Sequence, residues 1–385
     1  MLPGVASLVS GPDGAVVAER IETTLADGRD LFYYDPPGTR RVPPPDTREL
    51  PPQPHSGQAR FDPRTGEWVI VATHRQTRTF LPAADACPLC PSTVDNLTEV
   101  PGTDYAVVVF ANRFPALVGQ GTGPIEPNGT LLPSVPAVGR CEVICFDPRH
   151  VLSFVDLPVD QVRLVIEAWA DRTAELSRRP DVVQVFCFEN RGEEIGVTQH
   201  HPHGQIYAYP VVLPRTARML ARAVAYRRDH GTNLCEDVVA AEVADGARVV
   251  TGNEHWVAFV PFAARWPYEL HLYPRSRVPD LPSLDAAQRD SLAEIYLDVL
   301  RRFNGLFGEA GGPKPGGTPT PYIAAWHQAP RATPGSAELA LHLELFTNRR
   351  SPTALKYLAG TEAGMDMFSN DVVPEEAARR LRELG

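Results

Sequence analysis

Apolar residues recur along this chain with two different periods. Short runs rich in β-branched and aromatic residues, bounded by turn residues, predict strands at 106–110, 182–188, 256–260 and 322–326. Val162, Val165, Ile166 and Trp169 fall instead on one helical stripe, as do Leu292, Ile295, Val299 and Phe303, which predicts two amphipathic helices. Upstream, residues 20–24 and 31–34 flank Asp27-Gly28 and read as a hairpin, followed by a proline-rich extended arm over 36–54. A further strand is expected at 68–72 and a surface loop at 311–317. A closing helix at 374–384 has acids in its first turn and arginines later, in line with its dipole.

The pattern is duplicated. Phe110-Ala111-Asn112-Arg113-Phe114-Pro115 recurs as Phe262-Ala263-Ala264-Arg265-Trp266-Pro267, each copy ending a β-rich run. The stretch from Glu142 to Arg149 is echoed from Glu269 to Arg275. Both echoes reach Asp-Leu-Pro, enter an amphipathic helix and leave it for a strand. Strands, helix, strands in each half predict an α+β class with an antiparallel sheet. The expected division is an N-terminal hairpin and arm over 1–58, a first half over 59–232 and a second half over 233–385.

Composition narrows the function. A chain of 385 residues buries a large core, and its 43% hydrophobic and 22% charged residues are ordinary for a globular protein. A net charge of -10 excludes a general nucleic-acid binder, which needs a basic face. No run is long and apolar enough to span a bilayer, and residues 1–10 lack the basic and apolar regions of a signal peptide. Six cysteines are too few for a disulfide scaffold, so a reducing, cytoplasmic setting is expected. Cys141, Cys145, Cys187 and Cys235 read as small buried hydrophobes.

Three constellations carry chemistry. Cys87-Pro88-Leu89-Cys90 has the two-residue gap of a zinc knuckle. No second such pair exists, so histidines must complete a tetrahedral site. His150, just past a strand, and His201 are the candidates, and two unliganded cysteines are the alternative. A site with four protein ligands is closed, hence structural.

In Gln199-His200-His201-Pro202-His203-Gly204-Gln205, an extended backbone puts His201 and His203 on one face. If His201 holds metal, His203 is left free as a nucleophile toward phosphorus, since a neutral imidazole is well populated at pH 7. A second metal ligand or a buried structural histidine is the alternative. Gly204 would let a phosphate approach the backbone, and Gln205, on the face of His203, can donate to a phosphoryl oxygen. Arg75 and Arg78 suit pyrophosphate oxygens, or else form a solvated basic turn. The loop after Asn190-Arg191-Gly192, through Gly196 and Thr198, can offer backbone N–H groups to an anion.

These residues resemble the galactose-1-phosphate uridylyltransferase family of the histidine-triad superfamily. The resemblance runs from about Arg60 to the end. Its most specific stretch is Phe188-Glu189-Asn190-Arg191-Gly192, then Gly196, then His201-Pro202-His203-Gly204-Gln205. It implies two tandem histidine-triad-like domains and uridylylation of His203, with Gln205 steadying the transferred group. It implies a structural zinc on Cys87, Cys90, His150 and His201. Asn190 and Thr198 are implied at the sugar-nucleotide phosphates, Arg75 and Arg78 at the nucleotide phosphate, and Phe110 and Asn112 in the uridine pocket. Arg113 stands where the family often has Asp.

A second metal, iron or zinc, is held in some members by a Glu and three His. His327 and His342 match two of these and Glu344 replaces the third, but no acid lies between Pro210 and Arg228 to complete the set. Lys356 and Glu362 match sugar contacts that reach a neighbouring subunit's site, which implies a homodimer. Thr361 and Phe368 depart from that pattern. The expected reaction takes UDP-glucose and galactose 1-phosphate to UDP-galactose and glucose 1-phosphate by double displacement. The rivals are a related nucleoside-diphosphate-sugar phosphorylase or nucleotide hydrolase, and a non-enzymatic zinc-knuckle adaptor. His342-Leu343-Glu344 falls in the second half where His201-Pro202-His203 falls in the first, so one transfer site per subunit is expected.

Overall fold

The computed structural model describes residues 5–51, 57–77, 82–308 and 319–385. In chain order the strands are β1 (Val5–Ser10), β2 (Val16–Thr24), β3 (Asp30–Asp35), β4 (Gln58–Asp62), β5 (Glu67–Val71), β6 (Val107–Ala111), β7 (Ser134–Pro136) and β8 (Arg140–Cys145). Helix α1 (Val159–Leu176) precedes β9 (Gln184–Arg191) and β10 (His203–Tyr209). Helices α2 (Pro214–His230) and α3 (Leu234–Asp245) lead to β11 (Val249–Gly252), β12 (Trp256–Phe259) and β13 (Tyr268–Pro274). Helix α4 (Ala286–Gly305), β14 (Tyr322–His327) and β15 (His342–Thr347) follow.

Twelve of these strands form one sheet in the order β1-β2-β3-β6-β8-β10-β9-β14-β15-β13-β12-β11. The order is a mirror. The set β6-β8-β10-β9 of the first half meets β14-β15-β13-β12 of the second, and the two halves are sewn together where β9 pairs antiparallel with β14, Phe188 opposite Ala325. The predicted duplication is therefore one continuous α+β sheet. The expected hairpin forms as β2 and β3, and β3 joins this sheet through β6. The strand expected at 68–72 forms one residue earlier as β5, in a separate three-stranded sheet with β4 and β7. The loop at 311–317 lies outside the described residues.

Both predicted helical stripes are buried. Helices α1 and α4 pack side by side on one face of the sheet, so Val162, Val165, Ile166 and Trp169 share a core with Leu292, Ile295, Val299 and Phe303. Trp169, Tyr296 and Trp326 are fully enclosed there. Asp285 caps α4 through Gln288 in a reciprocal capping box, which ends the preceding loop at a defined residue. Period-two alternation then divides β10: Ile206 and Ala208 enter the core, while His203 and Gln205 face the opposite side.

That alternation corrects one expectation. Gly204 points toward the core, where an added Cβ would lie 2.8 Å from the Phe146 ring and 3.0 Å from the Phe188 carbonyl oxygen. The glycine is required by packing, not by the approach of a phosphate. Cys141, Cys145 and Cys187 are buried and Cys235 is half-buried, all as free thiols. No helix among the described residues is long and apolar enough to cross a membrane.

Candidate active site and metal centre

Four donors converge beside β10. Cys87, Cys90, His150 and His201 place their ligand atoms within 4.8 Å of one another. Cys90 Sγ is 3.5 Å from His150 Nδ1 and 3.4 Å from His201 Nδ1. A tetrahedral zinc with ordinary Zn–S and Zn–N bonds sets such edges at about 3.6 Å, so the donor set fits the ion. Burial, with His203 and His150 next in order, pushes His201 down to about 3, which leaves its ring neutral at pH 7. Burial and the neighbouring Cys87 push the Cys90 thiol up, so a bound cation would supply the charge that ionises it.

Tyr105 decides which nitrogen of His201 is the donor. Its buried hydroxyl donates to the Asp147 carbonyl at 2.8 Å and accepts from His201 Nε2–H at 2.7 Å. The proton is therefore on Nε2 and the lone pair is on Nδ1, facing Cys90. Sequence spacing did not single out Tyr105. Its only signal was a tyrosine shortly before the β6 run.

His203 opens β10 and is held by the same segment. Its Nδ1–H donates to the His201 carbonyl at 2.7 Å, which fixes the tautomer and leaves the Nε2 lone pair free. Burial lowers its pKa, which favours the neutral, nucleophilic ring. Two cavities, of about 920 and 620 Å³, meet at His203 and share Asn190, Val197 and Gln199.

The smaller cavity gathers most of the residues that the sequence suggested for catalysis and substrate binding: Arg75, Phe110, Asn112, Asn190, Thr198, His203 and Gln205. Arg75 comes from the short 3-10 turn Thr73–Thr77 that follows β5. Arg78 lies outside the described residues. Tyr207 donates to Gln205 Oε1 at 3.0 Å, which leaves the amide NH2 group for an incoming acceptor. Asn112 is held by its own turn, accepting from Phe114 N–H at 2.8 Å. Arg113 sits 3.7 Å from buried Glu99, and both line the cavity. The nearby loop turns through Gly192, at φ 99°, where a Cβ would strike Pro321 at 2.7 Å.

Both halves of the chain match one family. Residues 49–213 match the galactose-1-phosphate uridyl transferase N-terminal domain and residues 220–385 its C-terminal domain. The chain belongs to the galactose-1-phosphate uridyl transferase family. It is 46% identical to a galactose-1-phosphate uridylyltransferase of Streptomyces lividans, across 95% of this chain and 98% of that protein. It is 34% identical to the Thermotoga maritima enzyme of the same name, across 85% and 98%. A solved uridylyltransferase structure, 33% identical, superposes with a TM-score of 0.72 over 85% of this chain and 98% of that one.

Two groups lie apart from these cavities. Lys356 and Glu362 are buried and paired with each other, and Lys356 also reaches the Ser369 carbonyl. Neither lines a cavity that contains His203. His327, His342 and Glu344 come together in the second half, with ligand atoms within 4.8 Å. His342 Nδ1–H donates to the Ala340 carbonyl at 2.9 Å, and its Nε2, in a ring 1% exposed, has no hydrogen-bond partner among the described residues. Three residues beside this cluster drew no site role from the sequence. Arg215 lies 2.6 Å from Glu344, and Glu269 and His271 lie 2.9 Å from each other.

Proposed function

We propose that the chain transfers UMP from UDP-glucose to galactose 1-phosphate through a uridylyl group on His203. The supporting observation is the position of this imidazole, tautomer-locked at Nδ1, where two cavities meet. In the first step His203 Nε2 attacks the α-phosphorus of UDP-glucose. A P–N bond forms, the P–O bond to glucose 1-phosphate breaks, and the electron pair leaves on that phosphate. In the second step a phosphate oxygen of galactose 1-phosphate attacks the same phosphorus and displaces His203, giving UDP-galactose. No external general base is needed, because the attacking nitrogen is already neutral.

The Gln205 amide donates to the phosphoryl oxygen as charge spreads over it, and Arg75 neutralises the diphosphate. Asn190 and Thr198 bind phosphate oxygens, Phe110 and Asn112 hold the uridine, and Arg78 adds a second cation to the nucleotide phosphates. Zinc on Cys87, Cys90, His150 and His201 is structural. It supplies rigidity to the segment whose carbonyl orients His203, and no bond is made or broken at it. Lys356 and Glu362 serve the sugar site of a neighbouring subunit in a cytoplasmic homodimer. The exposed Tyr357, Met365 and Met367 on the same segment suit such a contact. The chain divides as an N-terminal hairpin and proline-rich arm over 1–58 and two histidine-triad-like halves over 59–232 and 233–385.

The test is a covalent-adduct experiment. Incubation with UDP-glucose labelled in the uridylyl group should leave one label per subunit on His203 and release glucose 1-phosphate. Galactose 1-phosphate should discharge the label as UDP-galactose. No adduct, or discharge by inorganic phosphate alone, would overturn the reading.

A further inference from the structure

The His327, His342 and Glu344 cluster offers the donor chemistry of a metal site but not the charge balance of one. We infer that the guanidinium of Arg215, rather than a metal ion, is the cation of this cluster, and that it keeps a divalent metal out. Arg215 lies in the first turn of α2 and its Nη2 donates to Glu344 Oε1 at 2.6 Å. The same oxygen is the one nearest His342 Nε2, at 3.6 Å, while His327 Nε2 faces Oε2 at 3.4 Å. A metal bound by these three residues would have to share Glu344 with a guanidinium already in contact with it.

One other carboxylate among the described residues comes near the cluster, and it is already engaged. Glu269 is the nearest candidate, but its Oε2 accepts from the Arg265 and Trp266 backbone N–H groups at 2.6 and 3.1 Å. Its Oε1 lies 2.9 Å from His271 Nε2, and a metal on Glu269, His271 and Glu344, whose ligand atoms also lie within 4.8 Å of one another, would again compete with Arg215 for Glu344. Helix α2 adds no acid before Asp229. The cluster therefore holds one unspent negative charge, on a carboxylate 4% exposed, and Arg215 spends it. A dication on these buried donors would set two cations against the single charge of Glu344, which the guanidinium already holds. His342 Nε2 makes no closer contact than its 3.6 Å approach to Glu344 Oε1, and its Nδ1–H bond to Ala340 keeps it turned toward the cluster.

This inference stands apart from the transfer chemistry at His203, and metal counting separates the two. The full-length protein is loaded with zinc(II), and in parallel with iron(II), desalted, and analysed for metal per subunit. Wild type should hold one equivalent of zinc, lost in Cys90→Ser and kept in His342→Ala. Arg215→Met should gain a second equivalent, lost again in Arg215→Met combined with His342→Ala. Arg215→Lys, which keeps the charge, should hold one. Two equivalents in wild type, one of them lost in His342→Ala, would overturn the inference, and so would an Arg215→Met protein that gains none. If Arg215→Met does not fold, the comparison of wild type with His342→Ala still decides. A wild type that holds no metal would sink the zinc assignment in the first half. The gain in Arg215→Met would then still judge the role of Arg215.

Discussion

His203 and His342 are the same imidazole in two settings. Each opens a strand, and each donates Nδ1–H to the carbonyl two residues back. His203 turns its free nitrogen toward two cavities, whereas His342 is stacked between Tyr273 and His327 and faces Glu344. By the sequence echo, Glu344 aligns with His203, but by hydrogen bonding it is His342 that repeats its pose. The difference teaches that the locked tautomer is a property of the duplicated strand, while reactivity comes from what stands in front of it. In the first half that is open space lined by Arg75, Asn190 and Gln205. In the second it is a buried carboxylate with its own arginine.

The largest expected effect is at the proposed nucleophile. His203→Ala should lower turnover on the order of a million-fold, as loss of a covalent nucleophile does elsewhere, with no label retained from UDP-glucose. Residual turnover near wild type would mean that another group carries the uridylyl unit. Next in size is Gln205→Ala, expected to cost about 100- to 1,000-fold in kcat, as loss of one preorganised donor does. If only KM moves, Gln205 binds ground state and transition state alike.

Tyr105→Phe should lower zinc affinity about 10- to 100-fold in a chelator competition, because His201 loses the acceptor that fixes its proton. Unchanged affinity would remove Tyr105 from the metal's support. The smallest effect on chemistry is expected at the twin residue. His342→Gln should still form the uridylyl adduct at close to the wild-type rate, with the change read as a shift in Tm. A large loss of adduct would make the second half a partner in catalysis.

Much of this protein is written in local sequence. The helical stripes, the β-rich runs and their repetition follow from local periodicity, because burying one face of a helix or strand imposes that spacing. Cys87 and Cys90 were legible from their two-residue gap, while the choice of His150 and His201 among eleven histidines rested on the family resemblance. The paired histidines were expected to share a face of one extended segment, but β10 begins only at His203 and His201 lies in the bend before it.

Only the tertiary structure decided the rest. It turned Gly204 toward Phe146 instead of toward a phosphate, because the strand alternates between a core face and an open one. It brought Tyr105 to His201 across 96 residues of chain and Arg215 to Glu344 across 129. It joined the two halves along β9 and β14 into one sheet. Such contacts leave no trace in spacing. Hydrogen bonds and ion pairs depend on where strands pair and how side chains point, and neither is encoded by the neighbours of a residue in the chain.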